Sequence, residues 1–137
     1  LSHSRGIGMI GIADTEVGVD VETLRTFADR DAVAKRFFAS GEVNRLERLA
    51  EPARQEAFFA CWTRKEAYVK AIGLGLAAPL DSFEVSVDLG HPALRSVRGD
   101  RQEAMAWSLC SWRTAHAWAA AAVRKRDACF RTFHLEL

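Results

Sequence analysis

The stretch CWTRKEAYVKAIGLGL, residues 61–76, decides the fold. It closes a run of apolar side chains at helical spacing, and glycines follow at positions 73 and 75. A glycine directly after such a run is typical of a helix C-terminus. The pattern predicts a helix that begins near Pro52, ends at Ile72 and packs an apolar stripe on a sheet. The stripe consists of Phe58, Phe59, Trp62, Val69 and Ile72.

Two short strands and two helices are predicted before this helix. Residues 16–22, EVGVDVE, alternate strictly in polarity, and residues 6–13 alternate small and apolar groups. The turn pair between these segments predicts a hairpin. In residues 28–49 the apolar side chains recur at helical spacing. The break at Ser40-Gly41 predicts two helices, the second of which is capped there.

After the long helix, apolar and polar residues again alternate with a period of two. Residues 82–88 predict a strand, whereas residues 89–103 carry glycine, proline and alternating charges and predict a loop of low order. Residues 105–113 and 115–124 predict a second hairpin, and residues 129–135 predict a last short strand. The predicted fold class is α+β, an antiparallel sheet with helices packed on one face.

The composition is that of an ordinary globular domain. The 137 residues are 49% hydrophobic and 27% charged, which fits one domain, 1–137, with a core of its own. The 19 basic and 18 acidic residues leave a net charge of +1, so we expect no nucleic-acid or membrane partner. The chain begins at Leu1 instead of Met, and we expect a fragment or a processed chain.

The cysteines predict a reducing compartment. Cys61, Cys110 and Cys129 are odd in number and lack C-x-x-C spacing, so they are interpreted as buried thiols, which argues against a disulfide framework or a zinc site. The sequence shows no signal-peptide pattern and no apolar run long enough for a bilayer. The expected location is therefore the cytoplasm.

Asp20 and Glu22 are the first candidate site residues. They are two apart on a predicted strand, so both carboxylates lie on one face. Two like charges this close repel each other, which costs stability unless a cation or basic group lies between them. Paired carboxylates suit a hard divalent ion, above all magnesium. The alternative is a solvated strand face with a neighbouring base such as Arg25.

Glu66 and Lys70 are the second pair, four apart on the predicted helix. This spacing is that of an ordinary helix ion pair. Glu66 also lies at the edge of the apolar stripe, however, where a carboxylate is costly unless something binds it. A helix packed on the strand could bring Glu66 to Asp20 and Glu22. Three carboxylates with a nearby ammonium group form an arrangement that suits metal-assisted phosphoryl transfer.

The N-terminal serines and histidine are phosphate-binding candidates. Ser2, His3 and Ser4 can donate several hydrogen bonds to a phosphate, and Arg64 and Lys65 would add positive charge. A serine hydrolase is rejected because no G-x-S-x-G motif is present. The glycine pair follows a helix instead of opening one, so it is not a phosphate-cradling loop.

Taken together, these segments resemble the Sfp-type 4'-phosphopantetheinyl transferases. The matching pieces are LSHS at 1–4, GVDVE at 18–22, RFF at 36–38 followed by Glu42, WTRKEAYVKAIGLGL at 62–76 and PLDSFEV at 79–85. The resemblance implies an enzyme that moves the phosphopantetheine arm of coenzyme A to a serine of an acyl or peptidyl carrier protein and releases adenosine 3',5'-bisphosphate.

The resemblance also implies a role for each candidate. Asp20, Glu22 and Glu66 would hold Mg²⁺, and Glu66 would take the proton of the carrier serine directly or through a metal-bound water. Lys70 would act with Glu66 in catalysis by contacting phosphate. The residues implied for coenzyme A are Ser2, His3, Asp20 and Lys70.

Members of this type have two similar halves, and this chain corresponds to the second half with the short segment before it. We therefore expect either a fragment or self-association to a dimer or trimer. One alternative function is a catalytically incomplete half that docks carrier protein through Arg64 and the turn at 73–76. Another is a magnesium-dependent nuclease, which is disfavoured because the glutamate and the lysine lie on a helix and the chain is nearly neutral.

Overall fold

The structure is a computed structural model that describes residues 1–136, apart from the side chain of Leu76. The strands are β1 (Ser2–Ser4), β2 (Ile7–Met9), β3 (Val17–Thr23), β4 (Phe83–Val85), β5 (Leu94–Val97), β6 (Ser108–Arg113) and β7 (Ala117–Val123). The helices are α1 (Arg30–Phe37), α2 (Ser40–Glu47), α3 (Ala53–Ile72) and α4 (Arg101–Met105). Short 3-10 turns cover Gly75–Ala77 and Leu80–Ser82.

The centre of the molecule is a three-stranded antiparallel sheet in the order β3-β7-β6. Helix α3 packs on one face of this sheet, and the hairpin of β1 and β2 lies against the other face. Strand β7 reads AWAAAAV, and its small side chains let the helix approach closely. The α+β prediction, with an antiparallel sheet and helices on one face, is confirmed.

Helix α3 is buried over most of its circumference, not only along one stripe. The rings of Phe58 and Phe38 stack with centroids 5.5 Å apart, and Tyr68 meets Trp107 edge-on at 5.0 Å. The predicted end of the helix is confirmed, because Gly73 adopts a left-handed conformation (φ 74°) and donates its N–H to the carbonyls of the last turn.

The first hairpin differs from the prediction. Strand β2 pairs with β1 across the two-residue turn Arg5-Gly6, whose φ angles of 42° and 84° suit a two-residue hairpin turn. Strand β3 pairs with β7 instead. The predicted pairing of 6–13 with 16–22 is therefore wrong, since the tight turn lies before β2 and not after it.

The segment predicted as a loop over 89–103 is also corrected. It contains β5 and α4, and the Asp100 carboxylate caps α4 by accepting the N–H groups of Gln102 and Glu103. The predicted strand over 129–135 is wrong, because these residues have no regular secondary structure.

Two smaller predictions are corrected as well. The N-terminus of α2 is capped not by Ser40 but by Glu42, whose carboxylate accepts the Ala39 N–H at 2.9 Å. Of the thiols, Cys61 is buried, but Cys110 is half-buried and Cys129 is exposed. Across residues 1–136, none of the helices is both long and apolar enough to cross a membrane.

Candidate functional site

The site lies where β3 crosses α3. The alternation of β3 turns Gly18, Asp20 and Glu22 toward the helix and turns Val19 and Val21 away from it, as predicted. Gly18 touches the helix backbone at Ala67, and this close approach brings the carboxylates of the strand to the last two turns of α3.

Asp20 is the best-defined member of the site. Its side chain is buried, and its Oδ1 accepts hydrogen bonds from Ser2 Oγ at 3.1 Å and from Lys70 Nζ at 2.7 Å. Its Oδ2 is also buried but has no hydrogen-bond partner among the described residues. A buried carboxylate oxygen without a partner is costly, so the site is incomplete as it stands.

Glu22 and Glu66 stand beside this carboxylate and are half-buried. Burial, and next the negative charge of Asp20, raise the pKa of Glu22 and of Glu66 above the ordinary value. Arg25, whose Nη1 lies 3.6 Å from Glu22, opposes this shift at Glu22. The three carboxylates therefore interact electrostatically, and we refer to Asp20, Glu22 and Glu66 as the acidic cluster.

Lys70 forms its ion pair with Asp20 and not with the residue one turn earlier. The spacing of Glu66 and Lys70 fits an ordinary helix pair, but the ammonium is directed across to β3. It also donates to Ser2 Oγ at 3.2 Å. Asp20 and Lys70 are 50 positions apart, so no short-range sequence signal could have indicated their contact.

The three residues of β1 do not form one donor group. Ser2 is buried and accepts the Val21 N–H at 3.2 Å, and Ser4 shares a 2.9 Å hydrogen bond with Thr23. His3, between them, points to the opposite side and is exposed. The serines thus fasten β1 to β3, and His3 alone is presented to solvent.

Arg64 and Lys65, predicted to add positive charge at the site, are buried structural residues. Arg64 donates to the carbonyl oxygens of Ser86 at 2.9 Å and Asp88 at 2.7 Å. Lys65 donates to both oxygens of Glu42, at 2.8 and 2.9 Å. Neither can face a ligand, because the helix turns both side chains toward the β4 side of the molecule.

The donor set suits a hard divalent cation. Within residues 1–136, no three His, Cys, Asp or Glu side chains are close enough to hold a metal ion as they stand. The acidic cluster nevertheless offers three carboxylates, and the unpaired Oδ2 of Asp20 is an oxygen that lacks a partner. Carboxylate oxygens are the ligands that Mg²⁺ prefers, so the residues fit this ion.

Two cavities of about 410 Å³ lie elsewhere, around the N-terminus of α2. Both are open to solvent and are lined by Ala39, Ser40 and Asp81, among others. Neither includes the acidic cluster, whose chemistry is the better guide to the site.

Comparison with known proteins identifies the family of this chain. The sequence profile described as the 4'-phosphopantetheinyl transferase superfamily matches residues 16–123, which include the whole acidic cluster. The 4'-phosphopantetheinyl transferase HetI of Nostoc sp. is 39% identical over 110 residues, which are 80% of this chain and 44% of that protein. Sfp of Bacillus subtilis is 32% identical over 85 residues, 62% of this chain and 37% of that protein. The chain thus spans less than half the length of these relatives.

Solved structures share the fold. A holo-(acyl-carrier-protein) synthase of Bacillus anthracis, in complex with CoA (3',5'-ADP), superposes with a TM-score of 0.65 at 22% identity, over 82% of this chain and 97% of that one. The holo-[acyl-carrier-protein] synthase of Thermotoga maritima gives a TM-score of 0.63 at 24% identity, over 82% and 64%. On the profile match and the sequence relatives, this chain belongs to the 4'-phosphopantetheinyl transferase superfamily.

Proposed function

We propose that this chain is the C-terminal half of a magnesium-dependent 4'-phosphopantetheinyl transferase. It moves the phosphopantetheine arm of coenzyme A to a serine of an acyl or peptidyl carrier protein and releases adenosine 3',5'-bisphosphate. The observation that carries the proposal is the acidic cluster, with its unpaired Asp20 oxygen and adjacent Lys70, in a member of this superfamily. Superfamily membership also favours transfer over the nuclease alternative.

The acidic cluster supplies the metal ligands in this proposal. Asp20, Glu22 and Glu66 would hold Mg²⁺, which when bound neutralises charge on a pyrophosphate group. Lys70, with 36% of its side chain exposed, can reach an oxygen of the same pyrophosphate. A pyrophosphate leaving group needs its charge neutralised more than it needs a covalent enzyme intermediate.

Glu66 is the proposed proton acceptor. The carrier serine loses its hydroxyl proton to the Glu66 carboxylate as its oxygen bonds to the phosphorus that bears the pantetheine arm. The bond from that phosphorus to the bridging oxygen then breaks, and the electron pair leaves with adenosine 3',5'-bisphosphate.

Coenzyme A would contact the edge of β1 as well as the metal site. His3 is exposed there and can donate a hydrogen bond to the 3'-phosphate, while Ser2 holds Asp20 in place from the other side of the strand. The CoA (3',5'-ADP) complex of the Bacillus anthracis synthase, which has the same fold, supports coenzyme A as the co-substrate.

A half that only docks carrier protein is the second candidate. It is favoured by the length of the relatives, more than half of which lies outside the matched region. Self-association is the alternative, in which a second copy of this chain provides the other half of the site. The match to 97% of the Bacillus anthracis chain supports a folding unit as small as this one. The buried position of Arg64 removes it from any docking surface.

The test is intact-protein mass spectrometry of an apo carrier protein after incubation with this chain, coenzyme A and Mg²⁺. We expect a mass gain equal to the phosphopantetheine arm, which a chelator abolishes. Asp20→Asn and Glu66→Gln should lose it, whereas Glu47→Gln, at an exposed carboxylate of α2, should retain it. Circular dichroism verifies that each variant is folded.

A second reaction with the segment that precedes this half in its longer relatives separates the alternatives. A gain only in that reaction would identify the chain as the catalytic half of a two-half enzyme. No gain in either reaction, with carrier binding retained, would overturn transfer in favour of docking.

A further inference from the structure

The acidic cluster already has a cation of its own beside it. The Lys70 ammonium lies 2.7 Å from Asp20 Oδ1 and 3.2 Å from Ser2 Oγ. Its charge also acts on Glu22 and Glu66, where it opposes the effect of burial on their pKa values. Lys70 therefore contacts Asp20 and acts electrostatically on the other two members of the acidic cluster, while Arg25 acts more strongly on Glu22.

This arrangement leaves Asp20 with a single free oxygen for a divalent ion. Asp20 Oδ1 already accepts from both Ser2 and Lys70, and only Oδ2 is unpaired. Among residues 1–136 the carboxylates are not gathered closely enough to hold a metal as they stand. An ion that binds here must therefore draw the carboxylates together, against the ammonium that already pairs with Asp20.

We propose that Lys70 is the internal counter-ion of the acidic cluster, and that a divalent cation displaces its ammonium from Asp20 toward solvent, where it meets the incoming phosphate. Metal binding and the phosphate contact of Lys70 are then coupled through one side chain. The inference rests on the proposed function, because it takes the acidic cluster as the metal site.

The position of Lys70 allows this exchange. It lies in the last turn of α3, where the helix dipole favours a cation, so the ammonium remains stabilised after it leaves Asp20. About a third of its side chain is exposed, which gives it an outward path. A doubly charged ion attracts the carboxylates more strongly than an ammonium does, and it repels the ammonium at close range.

The first test measures the reactivity of the lysines in the unmodified chain. The sequence has four, Lys35, Lys65, Lys70 and Lys125. Brief acetylation with and without Mg²⁺ or Mn²⁺, followed by peptide mass spectrometry, gives a rate for each. We expect the metal to increase the labelling rate of Lys70 severalfold and to leave exposed Lys35 unchanged, while buried Lys65 stays unlabelled.

The second test measures metal affinity from thermal unfolding at increasing Mg²⁺ concentration. In Lys70→Met no ammonium has to be displaced, so the midpoint of the Mg²⁺ response should fall about tenfold, the size of a typical coupling between linked sites. The matched control is Lys35→Met on α1, which should keep the wild-type midpoint.

The outcomes separate this inference from the proposed function. If Mg²⁺ stabilises the protein but Lys70 labelling and the Lys70→Met midpoint are unchanged, displacement is wrong and the metal site stands. If Lys70→Met binds more tightly without any change in wild-type labelling, the ammonium only repels the ion in place, and displacement is again wrong. If neither ion stabilises either protein, the metal site and this inference both fail.

Discussion

Gly18 packs so closely against Ala67 that a Cβ at position 18 would overlap the Ala67 carbonyl oxygen and the Ala71 backbone nitrogen. The obstacle is helix backbone, which cannot turn aside as a side chain can. The absence of a side chain at one strand position therefore sets the distance between β3 and α3, and with it the distance between Asp20 and Lys70.

Gly18→Ala should separate the strand from the helix. We expect the free energy of unfolding to fall by about 3 kcal/mol, at the upper end of the usual cost of overpacking, and the stabilisation by Mg²⁺ to disappear. The control is Gly8→Ala on β2, where a Cβ would meet nothing within 4 Å. Chemical denaturation of both variants is the measurement. Equal stabilities of the two variants would contradict the close packing of Gly18 on α3.

The buried pair of Glu42 and Lys65 holds α2 and β4 to α3. Lys65 donates to both Glu42 oxygens and to the Phe83 carbonyl, and Glu42 also accepts the Val85 N–H at 2.8 Å. Lys65→Met should cost about 3–5 kcal/mol in unfolding free energy, because it leaves a carboxylate buried without its cation.

The double variant Glu42→Gln/Lys65→Met tests the cause of that loss. Removing both charges should recover part of the stability, since the uncompensated carboxylate is gone. Urea unfolding of the two single variants and the double variant measures the coupling. A double variant whose loss equals the sum of the single losses would show that the pair is not a unit.

Arg64 should behave as a structural residue. Arg64→Met leaves the carbonyls of Ser86, Asp88 and Leu89 without their donor, so we expect a loss of at least about 2 kcal/mol in unfolding free energy. Arg95→Met, at an exposed arginine of β5, should cost little. Carrier affinity measured below the melting temperature should be unchanged in both, and a specific loss in Arg64→Met would return this residue to the docking surface.

The raised pKa of Glu66 predicts a pH-dependent difference between wild type and Glu66→Gln without metal. Between the ordinary glutamate value, about 4.3, and the raised value in the folded state, the folded protein binds more protons than the unfolded chain. Glu66 therefore lowers stability as pH rises through this window. Glu66→Gln removes that cost, so it should be the more stable protein at neutral pH.

The two proteins should converge as the pH falls toward the ordinary glutamate value, because protonated Glu66 resembles glutamine. Melting temperatures in chelator across this range measure the difference, with Glu47→Gln as the control. A constant difference at all pH values would show that the charge of Glu66 is not the cause.

Local sequence signals predicted the elements that depend on them. The end of α3 followed from Gly73, and the hairpin of β6 and β7 followed from alternation. Helix α4 was missed because it is only five residues long and its Asp100 cap lies in a segment rich in turn residues. The first hairpin was paired wrongly because alternation identifies strands but not their partners.

The sequence predicted that the carboxylates of the acidic cluster lie near one another, but it did not predict the contacts they make. Alternation correctly placed Asp20 and Glu22 on one face of β3. The ion pair of Lys70 with Asp20, however, depends on how the helix crosses the strand. The burial of Arg64 and Lys65 was missed for a related reason. Charged side chains are rarely buried, and a single sequence does not reveal partners that lie more than 20 residues away.

The two lysine–carboxylate pairs of this molecule should respond differently to ionic strength. Lys65 and Glu42 are sealed from water, so dissolved ions cannot enter between them, and added salt should leave their interaction unchanged. The pair of Lys70 and Asp20 is open to water on the lysine side, where mobile ions screen it. Added salt should therefore weaken the ion pair of Lys70, which the proposed metal site must release, without weakening the pair of Lys65, which holds the fold together.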